Sequence, residues 1–148
     1  MTSARGSRLD TALRSGSPFL VYGAQMATVD VLDALVELAG PFQALDLRDA
    51  DALTPVELTD RARASISASG VLVALLGDRV PHAVEAVLQA VVDGQVRVNG
   101  LPGDARPRLV VVMRSDLPRG RIADLLDVRL FADTALQASV PRRAGVAR

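Results

Sequence analysis

The chain has 148 residues, 49% of them apolar, and its 17 basic and 17 acidic side chains cancel. That length suits one domain with one core, and balanced charge with only 3% aromatics supplies neither a phosphate-neutralising face nor a base-stacking platform, so nucleic acid is not an expected partner. Every basic residue is arginine, cysteine is absent and His82 is the one histidine, which excludes a phosphate-loop or Schiff-base lysine, a thiol nucleophile, a disulfide and a histidine-built metal centre.

No apolar run approaches the ~18 residues of a membrane span. The start "MTSARGSRLD" lacks the apolar segment of a secretory signal, and the expected location is cytoplasmic, away from membranes. Abundant Ala, Val, Arg and Asp with no Lys points to a GC-rich bacterial genome.

In chain order, "SRLD" at 7–10 fits a capping box opening a short helix with Leu9, Ala12 and Leu13 on its apolar side, ending near Gly16. "PFLVYG" is a continuous apolar run of strand length. From Thr28 the period becomes helical, with Val29, Leu32, Leu35 and Val36 on one face and Asp30, Asp33 and Glu37 on another; Gly40 and Pro41 close it. "FQALDL" reads as a second strand. "TPVE" at 54–57 opens a helix with a threonine cap, proline at the first position and glutamate three after the cap.

"GVLVALLG" is apolar on both faces, as befits a central strand of a covered parallel sheet. "PHAVEAVLQAVVDG" forms a helix with Val84, Val87, Leu88 and Val91 inward and Glu85, Gln89 and Asp93 outward. "QVRVNGLPGDARPR" is expected to form a small hairpin or ribbon. "LVVVM" is a fourth strand, "RGRIADLLD" a short helix and "VRLFA" a fifth strand, and residues 137–148 form an expected flexible basic tail. Alternating strands and helices require long crossovers and hence a mainly parallel sheet of five strands. The predicted fold is α/β, a three-layer sandwich spanning residues 1–136 as one domain.

Four of these stretches carry a family resemblance. The succession "SPFLVYGAQMATVDVLDALVELAGPFQALDL", "SGVLVALLGDRVPHAVEAVLQAVVDGQVRVNG", "RLVVVMRSDL" and "GRIADLLDVRLF" resembles the AAA+ ATPase core, most closely that of bacterial enhancer-binding transcription activators, with a second likeness to the MoxR-type branch. It covers roughly residues 15 to 135 and lies in segment order and spacing, since no single motif is intact.

The resemblance implies a P-loop-like sheet whose first strand enters a phosphate-binding loop. Its first glycine corresponds to Gly23, its last glycine to Thr28, its lysine to Val29 and the next position to Asp30. Thr28 is suited to cap the following helix, and Asp30 and Asp33 to place negative charge in its first turns. A carboxylate about 4 Å from a unit anion repels it by about 1 kcal/mol in water and about 4 kcal/mol at an effective dielectric of 20. The family's metal-ordering Asp and catalytic Glu correspond to Leu75 and Leu76, which can neither coordinate magnesium nor take a proton. Its sensor falls on Ser115 or Asp116. Its arginine fingers find no intact equivalent: Val128 stands at the second, with Arg129 one residue away. The family's long insertion between the second and third strands is expected to be absent, since "RDADALTPVELTDRARASISAS" joins them here, and its helical lid after the fifth strand is not expected in 148 residues.

The resemblance therefore implies an inactive AAA+-like domain, a protein-interaction or regulatory module without a cofactor. Its partner would be another copy of itself or an active AAA+ protein. Without nucleotide to cement a ring, a homodimer or mixed assembly is favoured. A competing expectation is a small α/β ligand- or metal-binding protein or enzyme using the acidic sheet edge of Asp46, Asp49 and Asp51. Asp78 belongs to a turn rather than a metal site, and His82 is expected to face solvent.

Overall fold

The computed structural model describes residues 4–48, 53–77, 79–96, 107–114, 121–126 and 128–138. In chain order they form α1 (Arg8–Ser15), β1 (Phe19–Tyr22), α2 (Gln25–Ala39), β2 (Leu45–Asp46), α3 (Pro55–Ser65), β3 (Val71–Leu76), α4 (His82–Val92), β4 (Arg108–Met113), α5 (Arg121–Leu125), β5 (Val128–Phe131) and α6 (Ala132–Ala135). One five-stranded sheet runs β2-β3-β4-β1-β5, and every pairing is parallel. That order differs from the 3-2-1-4-5-6 and 2-1-3-4-5 orders of the two common doubly wound folds, because β4 lies between β1 and β3.

Helices cover both faces. Leu58 and Ala62 of α3, Val84, Val87, Leu88 and Val91 of α4 and Ile122 of α5 pack with Leu20, Leu72, Leu109 and Val111 on one side. On the other, Leu9 and Leu13 of α1, Val31, Ala34 and Leu35 of α2 and Ala132 and Ala135 of α6 pack with Phe19, Val21, Val73, Val110 and Val112. Alternate residues of each central strand thus enter opposite layers, which is why β3 and β4 read as unbroken apolar runs.

Local chemistry sets several boundaries. Ser7 accepts from Asp10 N at 3.2 Å, while the Asp10 carboxylate takes Gly6 N at 2.8 Å and Arg14 Nε at 3.0 Å, so only half of the expected capping box forms. At α3 both halves are made: Thr54 Oγ1 accepts from Glu57 N and Glu57 Oε1 from Thr54 N, each at 3.2 Å.

Two expectations about α2 are corrected. The helix begins at Gln25, three residues before Thr28, with Ala24 as a cap residue that makes no side-chain bond. Gln, Met and Ala are all strong helix formers and draw the start toward the strand. Among its described side chains the buried ones are Thr28, Val31, Ala34 and Leu35, whereas Val29 and Val36 are 48% and 45% exposed. Apolar residues lie nearly all round this helix, so periodicity alone does not select its inward side. The four-residue α6 was not anticipated; it follows β5 directly and buries Ala132 and Ala135.

The first residues of the expected tail turn back onto the domain: Arg8 N donates to Gln137 O at 2.9 Å, and Ser7 and Ala138 form an antiparallel bridge. Residues 139–148 and most of the expected hairpin, 97–106, lie outside the described residues. No helix among the described residues is long and apolar enough to cross a membrane.

Candidate functional site

Adjacent strands β1 and β4 send their chains to opposite layers, β1 into α2 and β4 toward α5. Their carboxyl ends therefore form the topological switch point, where open α/β sheets bind ligands. A cavity of about 70 Å³ lies beside it.

Four residues separated in sequence meet there. Thr28 and Val29 line it from α2, and Leu75 and Leu76 from the end of β3, with the Leu75 side chain in the α2 layer and that of Leu76 packed in the opposite one. These are the positions that correspond, by resemblance, to the last loop glycine, the lysine, the metal aspartate and the catalytic glutamate. Leu32 and Val112 add further aliphatic surface, and Arg48 and Arg114 form the polar rim. That cavity volume is far below the ~300 Å³ at which small-molecule pockets begin.

The connection between β1 and α2 is short. Gly23 N continues the ladder to Met113 O at 3.2 Å, and Thr28 N already makes the helical bond to Ala24 O at 3.0 Å. Only Gly23 and Ala24 separate strand from helix, too few to wrap backbone N–H groups round a phosphate. Thr28 is consequently not the cap its sequence position implied; it is 3% exposed in the fourth helical position. Asp30 and Asp33 are exposed and lie beyond the first turn, which contains no acid, so the helix dipole contributes little at either.

Gly23 has a packing role. A Cβ built on it would lie 2.9 Å from Ala132 Cβ, and its φ of 156° is one that L side chains rarely adopt. The glycine at this position is thus explained by the close approach of α6.

The remaining candidates are placed as follows. Arg129 lies on edge strand β5 and its guanidinium turns back to the carbonyls of Ala123 and Leu126, closing the end of α5. Val128 on the same strand is 39% exposed. His82 has a 99% exposed side chain, 3.3 Å from Glu85, as expected of a solvent-facing residue. Ser115, Asp116, Asp49, Asp51 and Asp78 lie outside the described residues. The remaining carboxylate of the acidic edge, Asp46, is gripped by Arg48 through Nε at 2.8 Å, Nη2 at 2.6 Å and backbone N at 3.1 Å. These bonds, led by the guanidinium, hold its pKa down to about 2 against a smaller opposing effect of burial, and they occupy the oxygens a metal would need. Among the described residues no group of three or more His, Cys, Asp or Glu is arranged to hold a metal ion.

Arg48 and Arg114 were not singled out in the sequence. Their signal is positional: each directly follows the last buried apolar residue of a strand segment, Leu47 or Met113, and parallel strands deliver such residues to the same sheet end. Larger hollows lie elsewhere. One of about 310 Å³ runs between α1, α2 and the start of β4, where Asp10 and Arg14 pair, Glu37 accepts from Ala4 N and Arg108 donates to Leu13 O. Another, of about 320 Å³, lies between β2 and α3. Neither adjoins the switch point.

No family model matches the chain, and no curated protein does.

Proposed function

We propose that the chain is a catalytically inactive AAA+-like domain that serves as a protein-interaction or regulatory module and does not hydrolyse ATP. The observation that carries this reading is the convergence of Thr28, Val29, Leu75 and Leu76 on one cavity of about 70 Å³. In an active member the corresponding positions would bring together phosphate, magnesium and the attacking water. Here they are one hydroxyl and three aliphatics, with the Leu76 side chain turned into the opposite layer, and only Gly23 and Ala24 separate strand from helix. An intact, two-sided core beside this substitution fits a scaffold kept for its surface.

The partner is a protein, either another copy of this chain or an active AAA+ protein. Purified protein should show no magnesium-dependent ATPase rate above a buffer control, and calorimetry should detect no heat of ATP or ADP binding. Nucleotide held between Gly23 and Asp30 in a soaked crystal would overturn the reading.

A further inference from the structure

One edge of the sheet is β2, and its outer side is backed by a hollow. Leu47 N donates to Leu75 O at 2.9 Å, so Leu45 and Leu47 turn their backbone groups to β3, and the alternation turns those of Asp46, and of Ala44 before it, outward. On that side neither makes a backbone hydrogen bond among the described residues. Both line the hollow of about 320 Å³ whose opposite wall is α3, with Arg61 and Ser65. Two charged residues belong to this lining, Asp46 and Arg61. Asp46 is already gripped by Arg48. Arg61 is exposed, and its guanidinium has no partner among the described residues. An unpaired strand edge and one uncompensated positive charge thus face the same space.

We propose that an extended, acid-bearing segment of another protein docks here as a further strand beside β2. The inference rests on the interaction-module reading above and names the chemistry of its partner. Ala44 and Asp46 repeat their N–H and C=O groups every two residues, about 6.6 Å, the spacing at which a second extended backbone presents its own. Main-chain pairing of this kind is how open sheet edges take up peptides. Side chains of the added strand alternate across the sheet, so every second one falls on the α3 side, where an aspartate or glutamate meets Arg61, and Gln43 and Ser65 add polar partners.

Charge decides against the nearer occupants. The chain's own end, "SVPRRAGVAR", carries Arg142, Arg143 and Arg148 and no acidic side chain. A second copy paired through the same edge about a dyad would bring its own α3 to the same side of the sheet and set arginine toward arginine. Because β2 has only two residues, few bonds form, and the complex is weak and loosens as salt rises.

The test is fluorescence anisotropy of the full chain titrated into labelled, end-capped octapeptides that alternate threonine with glutamate, glutamine or lysine, with circular dichroism melts to show that each protein variant is folded. The glutamate peptide should bind, the glutamine peptide should bind about threefold more weakly, and the lysine peptide should not bind. Arg61→Glu should reverse the order of the glutamate and lysine peptides. Ala44→Pro removes one outward N–H and leaves the ladder to β3 intact, as proline on an edge strand can, and should weaken the glutamate peptide by about fivefold. The glutamate peptide N-methylated at every residue keeps its charge, loses its donors and should not bind; it makes the same test from the partner's side if Ala44→Pro does not fold. A glutamate peptide that fails to bind, an Arg61→Glu variant that keeps the wild-type order, a folded Ala44→Pro variant of unchanged affinity, or an N-methylated peptide as good as its parent each overturns the proposal. ATP calorimetry on the same samples separates the two ideas: nucleotide binding sinks the inactive-domain reading and leaves the groove standing, whereas a chain that ignores both nucleotide and peptide does the reverse.

Discussion

Gly23 is where sequence resemblance and packing assign different work to one residue. By resemblance it opens a phosphate loop; in the fold it makes room for Ala132, with 2.9 Å between a built Cβ and the Ala132 Cβ. Gly23→Ala should therefore destabilise the protein by about 1–3 kcal/mol, as overpacking and a rarely adopted backbone angle combine. Gly77→Ala, where the added methyl meets nothing within 4 Å, should change stability by less than about 0.5 kcal/mol. Urea unfolding of the two variants checks both, and equal effects would remove the packing explanation. Asp46 makes a second prediction at this scale. Its pKa is lowered to about 2 by Arg48, against about 3.9 for an unfolded aspartate. Its contribution to stability is therefore fully present above roughly pH 4 and lost as pH falls toward 2. With the carboxylate side chain 50% exposed, solvent screening limits the contribution to about 0.5 kcal/mol. Asp46→Asn should flatten the stability profile by that amount in that window, measured by denaturant midpoints across pH.

At the scale of the element, α2 decides most. The sequence marks its C-terminal stop at Gly40 plainly, and the stretch "GAQMATVD" invites a loop followed by a helix from Thr28. The helix starts at Gln25 instead, so only Gly23 and Ala24 lie between strand and helix. Val29→Lys should fail to confer nucleotide binding, since a charge at that position finds no cradle of backbone donors beside it; calorimetry with ATP and magnesium checks this, and micromolar binding by the variant would show that the segment can supply such a cradle. The two correctly read starts, α1 at Arg8 and α3 at Pro55, depend on side chains within four residues of each other. The inward side of α2 depends on residues that arrive from β1, β3 and β4, which no local pattern contains. Short α6 escaped notice for a related reason: a helix of four residues completes little more than one turn, too little to show a period.

For the molecule as a whole, central strands β3 and β4 contribute side chains to both layers. Leu72 is fully buried in the middle of that arrangement. Leu72→Ala should cost about 2–5 kcal/mol, with near- and far-ultraviolet circular dichroism still giving coincident transitions, as expected when one core unfolds as a unit. Non-coincident transitions would mean that the layers unfold separately. The sheet order also accounts for the candidate site: because β4 lies between β1 and β3, the ends of β3 and β4 and the start of α2 share one hollow. Two residues distant from that hollow in sequence, Arg48 and Arg114, enter it only through this order.

What composition and pattern determine unaided is the α/β class, the five strands, the parallel pairing and the absence of lysine and cysteine chemistry, since these rest on counts and on contacts close along the chain. Which strands become neighbours, which side of α2 is buried, why Gly23 must be glycine and how little space remains among Thr28, Val29, Leu75 and Leu76 were decided only by tertiary packing. Each depends on groups far apart in sequence being brought within a few ångströms, and a one-dimensional pattern of apolar and polar residues is the same for many such arrangements.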